Sequence, residues 1–118
     1  KKLNNKSSIV FIGSIAGSAG SYDEVYASSK SAISGLIKSL AKKSKNSIRF
    51  NSISPGLIKN SNMIKQFSAS EIENHTKETP TNELNDLQKI AQICFNICQE
   101  EWAQLNGQTI DINGGRYV

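Results

Sequence analysis

The order in which two periodicities alternate along the chain limits its fold more than any single residue does. Residues 8–12, SIVFI, are a short apolar run closed by Gly13. Such a run, rich in branched residues and bounded by Ser and Gly, suits a strand covered on both faces, as in a parallel sheet. The following GSIAGSAGS is small and flexible, and reads as the loop at that strand's carboxyl end. Ser21, with Glu24 three residues on, has the form of a capping box. Beyond it Val25, Ser29, Ala32, Ile33, Leu36, Ile37, Leu40 and Ala41 recur at intervals of three and four. This predicts a helix to about Lys43, with Lys42, Lys43 and Lys45 complementing its negative end. Residues 48–54, IRFNSIS, predict a second strand stopped by Pro55-Gly56, and 85–102 a second helix with Leu87, Ile90, Ala91, Cys94, Phe95 and Cys98 on its apolar side. After Asn106-Gly107, QTIDING alternates as a last strand that Gly114-Gly115 ends.

Strand, helix, strand, helix, strand implies an α/β fold, with parallel strands joined by right-handed helical crossovers. In such sheets ligands bind beyond the carboxyl ends of the strands. The loops GSIAGSAG and SPGLIKN both fall there, so two separate loops converge on one crevice. Residues 57–80 are polar and weakly periodic, with short helical possibilities around 63–67 and 70–75. A segment of that length inside a compact domain is expected to be a lid or binding loop.

Composition narrows the class. A chain of 118 residues, 37% hydrophobic and 20% charged, fits one soluble globular domain over 1–118 and is too apolar for a disordered one. It holds no run of about 18 apolar residues, so no membrane span is expected. The start, KKLNNKSSIVFIG, is basic and then apolar, but its apolar run of 9–12 is shorter than the roughly 7 to 15 residues of a signal-peptide core. The formal charge of +4 is spread rather than clustered, which reads as solvated surface, with an acidic partner or phosphorylated ligand as the alternative. Without clustered Arg and Lys and an aromatic platform, nucleic acid is not an expected partner. Cys94 and Cys98 lie four apart with no His or further Cys nearby, so they read as small buried hydrophobes, no metal is expected, and the default compartment is the reducing cytoplasm.

The stretch SYDEVYASSKSA carries the candidate chemistry. Tyr26 and Lys30 are four apart, and so share a helix face one turn from each other. Tyr22 does not qualify, because the residue four after it is Tyr26. A phenol near its reference pKa of about 10 is a reluctant acid-base group at neutral pH, and a nearby ammonium favours its ionised form. Such a pair can exchange a proton with an alcohol or carbonyl oxygen. On spacing alone a surface contact worth a few tenths of a kcal/mol is the default reading. His75 reads as solvated and Trp102 as core or interface. Met63 and Phe67 read equally as substrate contacts or packing.

The neighbouring motifs change that balance. IGSIAG places a serine at the end of a strand, YASSK follows a short loop, NSISPG follows the intervening helix, and GQTIDINGG closes the chain. In this order they resemble the short-chain dehydrogenase/reductase family, whose pattern is a Ser, then Tyr-x-x-x-Lys, then Pro-Gly after the next strand. The resemblance implies the carboxyl-terminal part of a Rossmann-type doubly wound parallel sheet, and an NAD(P)-dependent oxidoreductase that reduces a carbonyl or oxidises an alcohol. It implies that Ser14 hydrogen-bonds the substrate oxygen, that Tyr26 supplies or removes its proton, and that Lys30 lowers the tyrosine pKa and holds the nicotinamide ribose. Pro55, Gly56 and Ile58 match the loop against the nicotinamide. Asn60 stands where the family usually has a threonine that touches the phosphates. The resemblance implies NAD or NADP as the cofactor, NADP being slightly favoured. The GSIAG, PGLI and INGG segments look most like 3-oxoacyl-[acyl-carrier-protein] reductases, which implies a small carbonyl or alcohol substrate held on a carrier protein, and a homodimer or homotetramer. The family chain is roughly twice as long and begins with a Gly-rich turn for the cofactor pyrophosphate. No such turn occurs in these 118 residues, so 1–118 is expected to be the carboxyl half of one domain. The alternative is a truncated, non-catalytic half that serves only in assembly.

Overall fold

In a computed structural model, which describes residues 7–45 and 48–118, β1 (Ser7–Ile12) pairs with β2 (Ile48–Pro55), and β2 with β3 (Thr109–Ile112), all parallel. The basic start at 1–6 lies outside the described residues. Between the strands run α1 (Ala16–Ala19), α2 (Glu24–Lys43), α3 (Ala69–Lys77) and α4 (Leu87–Ile97). The α/β fold expected from the order of elements is therefore present. No described helix is long and apolar enough to cross a membrane.

The two faces of the sheet differ in chemistry. Ile53 of β2 is fully buried with Ile90 and Ile97 of α4, and Val10, Ile93, Cys94, Ile110 and Ile112 pack around them. Strand alternation sends Ser52, Ser54, Thr109 and Asp111 to the opposite face. There the Ser52 and Thr109 hydroxyls share a hydrogen bond of 2.9 Å, and Lys30, Ser31 and Ser34 of α2 border the same groove. Asn51 is fully buried on β2, and its amide is satisfied: Nδ2 donates to the Leu105 carbonyl at 2.8 Å and Oδ1 accepts from the Gln108 amide at 3.0 Å.

Helix ends differ from the sequence expectation for local reasons. Asp23, not Ser21, caps α2: its carboxylate accepts from the Tyr26 amide at 2.8 Å, while the Ser21 hydroxyl accepts from the Asp23 amide. The helix expected over 85–102 begins at Leu87, where the Asp86 carboxylate accepts from the Gln88 amide, and stops at Ile97 before a 3₁₀ turn over Glu100–Trp102. Arg49 of β2 explains the stop. Its Nη1 donates to the carbonyls of Ile97 and Leu105, and its Nη2 to those of Cys98 and Gln99, at 3.0 to 3.2 Å. Carbonyls at the end of α4 thus turn to a guanidinium from the sheet. The apolar side of α4 also divides. Ile90, Ile93, Cys94 and Ile97 face the core, whereas Leu87 and Phe95, expected on that side, are half or more exposed. Burial pushes the Cys94 thiol above its usual range, with Cys98 adding to the effect.

Only Ile37 of α2 is fully buried, and Val25 and Leu36 are exposed. Gly35, in the middle of α2, would meet nothing within 4 Å if it carried a Cβ. Glycine inside a helix costs backbone entropy, so Gly35→Ala is expected to raise stability by about 0.5–1 kcal/mol. A higher urea midpoint with unchanged slope would record it.

Candidate active site

β1 ends beside β2, and the loops that follow them are tied together. The Gly13 amide donates to the Ile53 carbonyl at 2.7 Å and the Ile15 amide to the Pro55 carbonyl at 3.1 Å. Ser14 and Pro55-Gly56 are thereby held side by side at the carboxyl ends of their strands. The Ser14 hydroxyl oxygen accepts from the Ala16 amide at 3.2 Å, which leaves its proton to be donated elsewhere.

Tyr26 lies in the first turn of α2 and is half-buried, whereas Tyr22, before the helix, is fully exposed. Lys30 stands one turn beyond Tyr26. Its Nζ lies 5.7 Å from the Tyr26 ring centroid and donates to the Ile12 carbonyl at 3.1 Å. That bond ties the ammonium to the end of β1, close to Ser14. An ammonium has three donors, so two remain for a ligand.

Ser14, Tyr26, Pro55 and Gly56 line one open cleft of about 650 Å³. Lys30 borders the adjoining hydroxyl-rich groove and reaches the cleft wall through the Tyr26 ring. Ile58 does not line the cleft: it packs against the core and bridges to Asn85, closing the neck of the excursion between β2 and α4. Asn60 is exposed at φ 61°, in the left-handed region, and also lies off the cleft wall.

Residues 57–80 hold more structure than a loop. Met63–Gln66 is a 3₁₀ turn, and α3 starts on a complete capping box between Ser68 and Glu71. The two Ser68 hydrogen bonds hold the Glu71 carboxyl below its usual range. Met63 and Phe67 line the cleft, as does His75. His75, read from sequence as solvated, is half-buried and meets Phe67 edge to face, with ring centroids 5.5 Å apart.

Sequence reasoning missed Arg116. Its Nη1 donates to the His75 carbonyl at 2.9 Å, its Nε to the Tyr117 hydroxyl at 3.1 Å, and its Nη2 pairs with the Glu78 carboxylate. Arg116 thus fastens the carboxyl end of α3 over the cleft. The signal available was a lone cation following the Gly114-Gly115 pair.

Burial holds His75 below its ordinary 6.5, and the Arg116 charge adds to this, while Glu78 and Glu71 oppose it. A histidine whose folded value is depressed contributes stability that is fully present above its unfolded value near 6.5 and is lost as pH falls below it. Amide exchange across α3 is therefore expected to speed up, relative to β2, between about pH 7.5 and about pH 5.5. Equal protection of α3 at both pH values would contradict this.

The sequence from 1 to 116 matches the family model described as enoyl-(acyl carrier protein) reductase. The 3-oxoacyl-[acyl-carrier-protein] reductase FabG of Buchnera aphidicola subsp. Schizaphis graminum is 34% identical over 112 residues, which are 93% of this chain and 46% of that protein. The uncharacterized oxidoreductase YmfI of Bacillus subtilis is 35% identical over 116 residues, 96% of this chain and 48% of that protein. Among solved structures, a short-chain dehydrogenase/reductase of the glucose/ribitol dehydrogenase type from Brucella melitensis superposes with a TM-score of 0.90 at 28% identity, over 96% of this chain and 46% of that one. A 7α-hydroxysteroid dehydrogenase complexed with NADH and 7-oxo glycochenodeoxycholic acid gives 0.84 at 29% identity, over 92% and 43%. The chain spans about half the length of the relatives it matches. With a family model over nearly its whole length and a Ser, a Tyr-x-x-x-Lys and a Pro-Gly gathered at the carboxyl ends of β1 and β2, the chain belongs to the short-chain dehydrogenase/reductase family.

Proposed function

We propose that the polypeptide carrying this chain is an NAD- or NADP-dependent oxidoreductase that interconverts a carbonyl and an alcohol, and that Ser14, Tyr26 and Lys30 perform its acid-base work. The observation that carries this reading is the placement of the Lys30 ammonium one turn behind Tyr26, anchored on the Ile12 carbonyl beside Ser14. The two spare donors of Lys30 fit ribose hydroxyls, and Pro55-Gly56 offers a wall without a long side chain for a flat ring. These residues suit the nicotinamide end of a dinucleotide. When bound, that cofactor supplies or accepts the hydride.

In the reducing direction, Tyr26 gives its phenolic proton to the substrate oxygen as the carbonyl carbon gains hydride. The C=O double bond thus becomes CH–OH. Ser14 donates a hydrogen bond to the same oxygen and steadies the charge that grows there. Lys30 sets a positive charge beside the ring that gives up the proton. Ile15, Leu57, Met63 and Phe67 give the cleft apolar walls, which suit an acyl chain. We assign 57–80 the role of lid over this substrate. A 3-oxoacyl group on an acidic carrier protein fits both the walls and the basic net charge of +4. Val25, Leu36, Leu87 and Phe95, exposed on α2 and α4, suit burial in a dimer or tetramer of the full-length protein, in a cytoplasm that keeps Cys94 and Cys98 free.

The test is absorbance at the nicotinamide band with the full-length protein, NADH or NADPH, and 3-oxoacyl thioesters of increasing length. Turnover that improves with chain length supports the acyl reading. Turnover of short carbonyls alone narrows the substrate to a small molecule, and no hydride transfer to any carbonyl refutes the oxidoreductase.

A further inference from the structure

Four glycines lie in or near the loop and helix that carry the candidate triad: Gly13, whose Cβ would meet the Ile53 carbonyl oxygen and the Ser54 hydroxyl at 3.0 Å on the sheet side, and Gly17, Gly20 and Gly35, whose surroundings differ. A Cβ on Gly20 or Gly35 would meet nothing within 4 Å. A Cβ on Gly17 would lie 2.8 Å from the Lys30 carbonyl carbon, 2.9 Å from the Ser31 amide nitrogen and 3.0 Å from the Lys30 carbonyl oxygen. All three are backbone atoms of a helix interior, which cannot swing aside as a side-chain tip does. Gly17 is therefore the point at which α1 rests directly on the α2 backbone, at the residue whose ammonium faces Tyr26.

The same glycine is bonded to the serine. Its amide donates to the Ser14 carbonyl at 3.0 Å, inside the turn where the Ala16 amide donates to the Ser14 hydroxyl. Ser14 is thus joined to Gly17 by a short hydrogen-bonded turn, and Gly17 meets Lys30 by contact of backbone on backbone. A side chain here must widen the gap between α1 and α2. Where α2 is the element that yields, Lys30 Nζ is drawn away from the Ile12 carbonyl, because that carbonyl stays with β1 while the Lys30 backbone moves with α2.

We propose that Gly17 is a positioning residue that sets Lys30 against Ser14 and Tyr26 by allowing α1 to touch the α2 backbone. The proposal rests on the oxidoreductase reading for its kinetic consequence, though not for its geometric one. A displacement of about 1 Å at a catalytic group can cost on the order of a hundredfold in rate. Gly17→Ala in the full-length protein is accordingly expected to lower kcat about tenfold to a hundredfold. If the loss runs through Lys30, then in a Lys30→Met background Gly17→Ala should lower kcat by no more than about twofold further, because interacting sites are not additive. Gly35→Ala, on α2 but without a neighbour, serves as the control and is expected to keep the parent kcat.

A crystal structure of the Gly17→Ala protein reads the geometry without activity, and the hydrogen bond from Lys30 Nζ to the Ile12 carbonyl is expected to be lost. The proposal is overturned if that bond persists, or if the losses from Gly17→Ala and Lys30→Met multiply independently. Should Gly17→Ala fold poorly, the same measurements are made with Gly35→Ala added as a stabilising change. Failure to fold there as well overturns the proposal, since the glycine would then serve folding rather than the lysine. If the parent shows no hydride transfer, the oxidoreductase reading falls, and the crystal structure alone decides whether Gly17 places Lys30.

Discussion

Tyr26→Phe in the full-length protein is expected to lower kcat by about 10²- to 10⁴-fold, the range a positioned proton donor contributes. The variant deletes one oxygen at the wall of a cleft and leaves the ring over which Lys30 Nζ sits at 5.7 Å. Helix α2 keeps its cap, which depends on the Tyr26 amide and the Asp23 carboxylate rather than on the phenol. Stability and nicotinamide binding should therefore stay near the parent values while the chemical step fails. Tyr22→Phe is the informative comparison, since Tyr22 also borders the cleft but is fully exposed and has no lysine one turn on. It should retain kcat. Calorimetric titration with NADH, NADPH and single-turnover absorbance separate binding from chemistry, and an unchanged kcat in Tyr26→Phe would sink the triad.

The second large effect concerns stability. Arg49→Lys is expected to cost roughly 2–4 kcal/mol in the urea unfolding of the full-length protein. The Arg49 guanidinium serves four carbonyls, those of Ile97, Cys98, Gln99 and Leu105, through two nitrogens of one planar fork. An ammonium at the end of a flexible stem cannot reach all four at once, so carbonyls at the end of α4 lose partners in a half-buried setting. Because β3 follows this turn, the loss should spread to the β2 and β3 pairing, and exchange of amides there should rise with it. A cost below about 1 kcal/mol would mean that water replaces the arginine without penalty.

The sequence was most legible where one residue's neighbours along the chain decide its state. The three strands and the span of α2 followed from local periodicity, and Tyr26 with Lys30 from helical geometry. Boundaries were less legible. Ser21 and Asp23 can both cap a helix, and only the backbone path of the turn selects Asp23. The stop of α4 at Ile97 has no signal within 85–102, because the group that ends it is an arginine about fifty residues earlier. The apolar positions Leu87 and Phe95 obey helical spacing as well as Ile90 and Ile97 do, yet a helix has one face against the sheet and a wider apolar stripe leaves part of itself exposed.

The candidate site divides along the same line. Sequence by itself determined the order of the three strands and the two long helices, though not α1 in the segment read as a loop, and the residues that share one helical turn, since these are set by spacing along the chain. Tertiary structure alone decided that Ser14, Tyr26 and Pro55-Gly56 line one cleft, that Arg116 reaches back to His75 and Glu78, and that Gly17 rests on the Lys30 backbone. Those contacts join positions far apart in sequence, and no local propensity encodes which glycine will meet a backbone and which will meet open space.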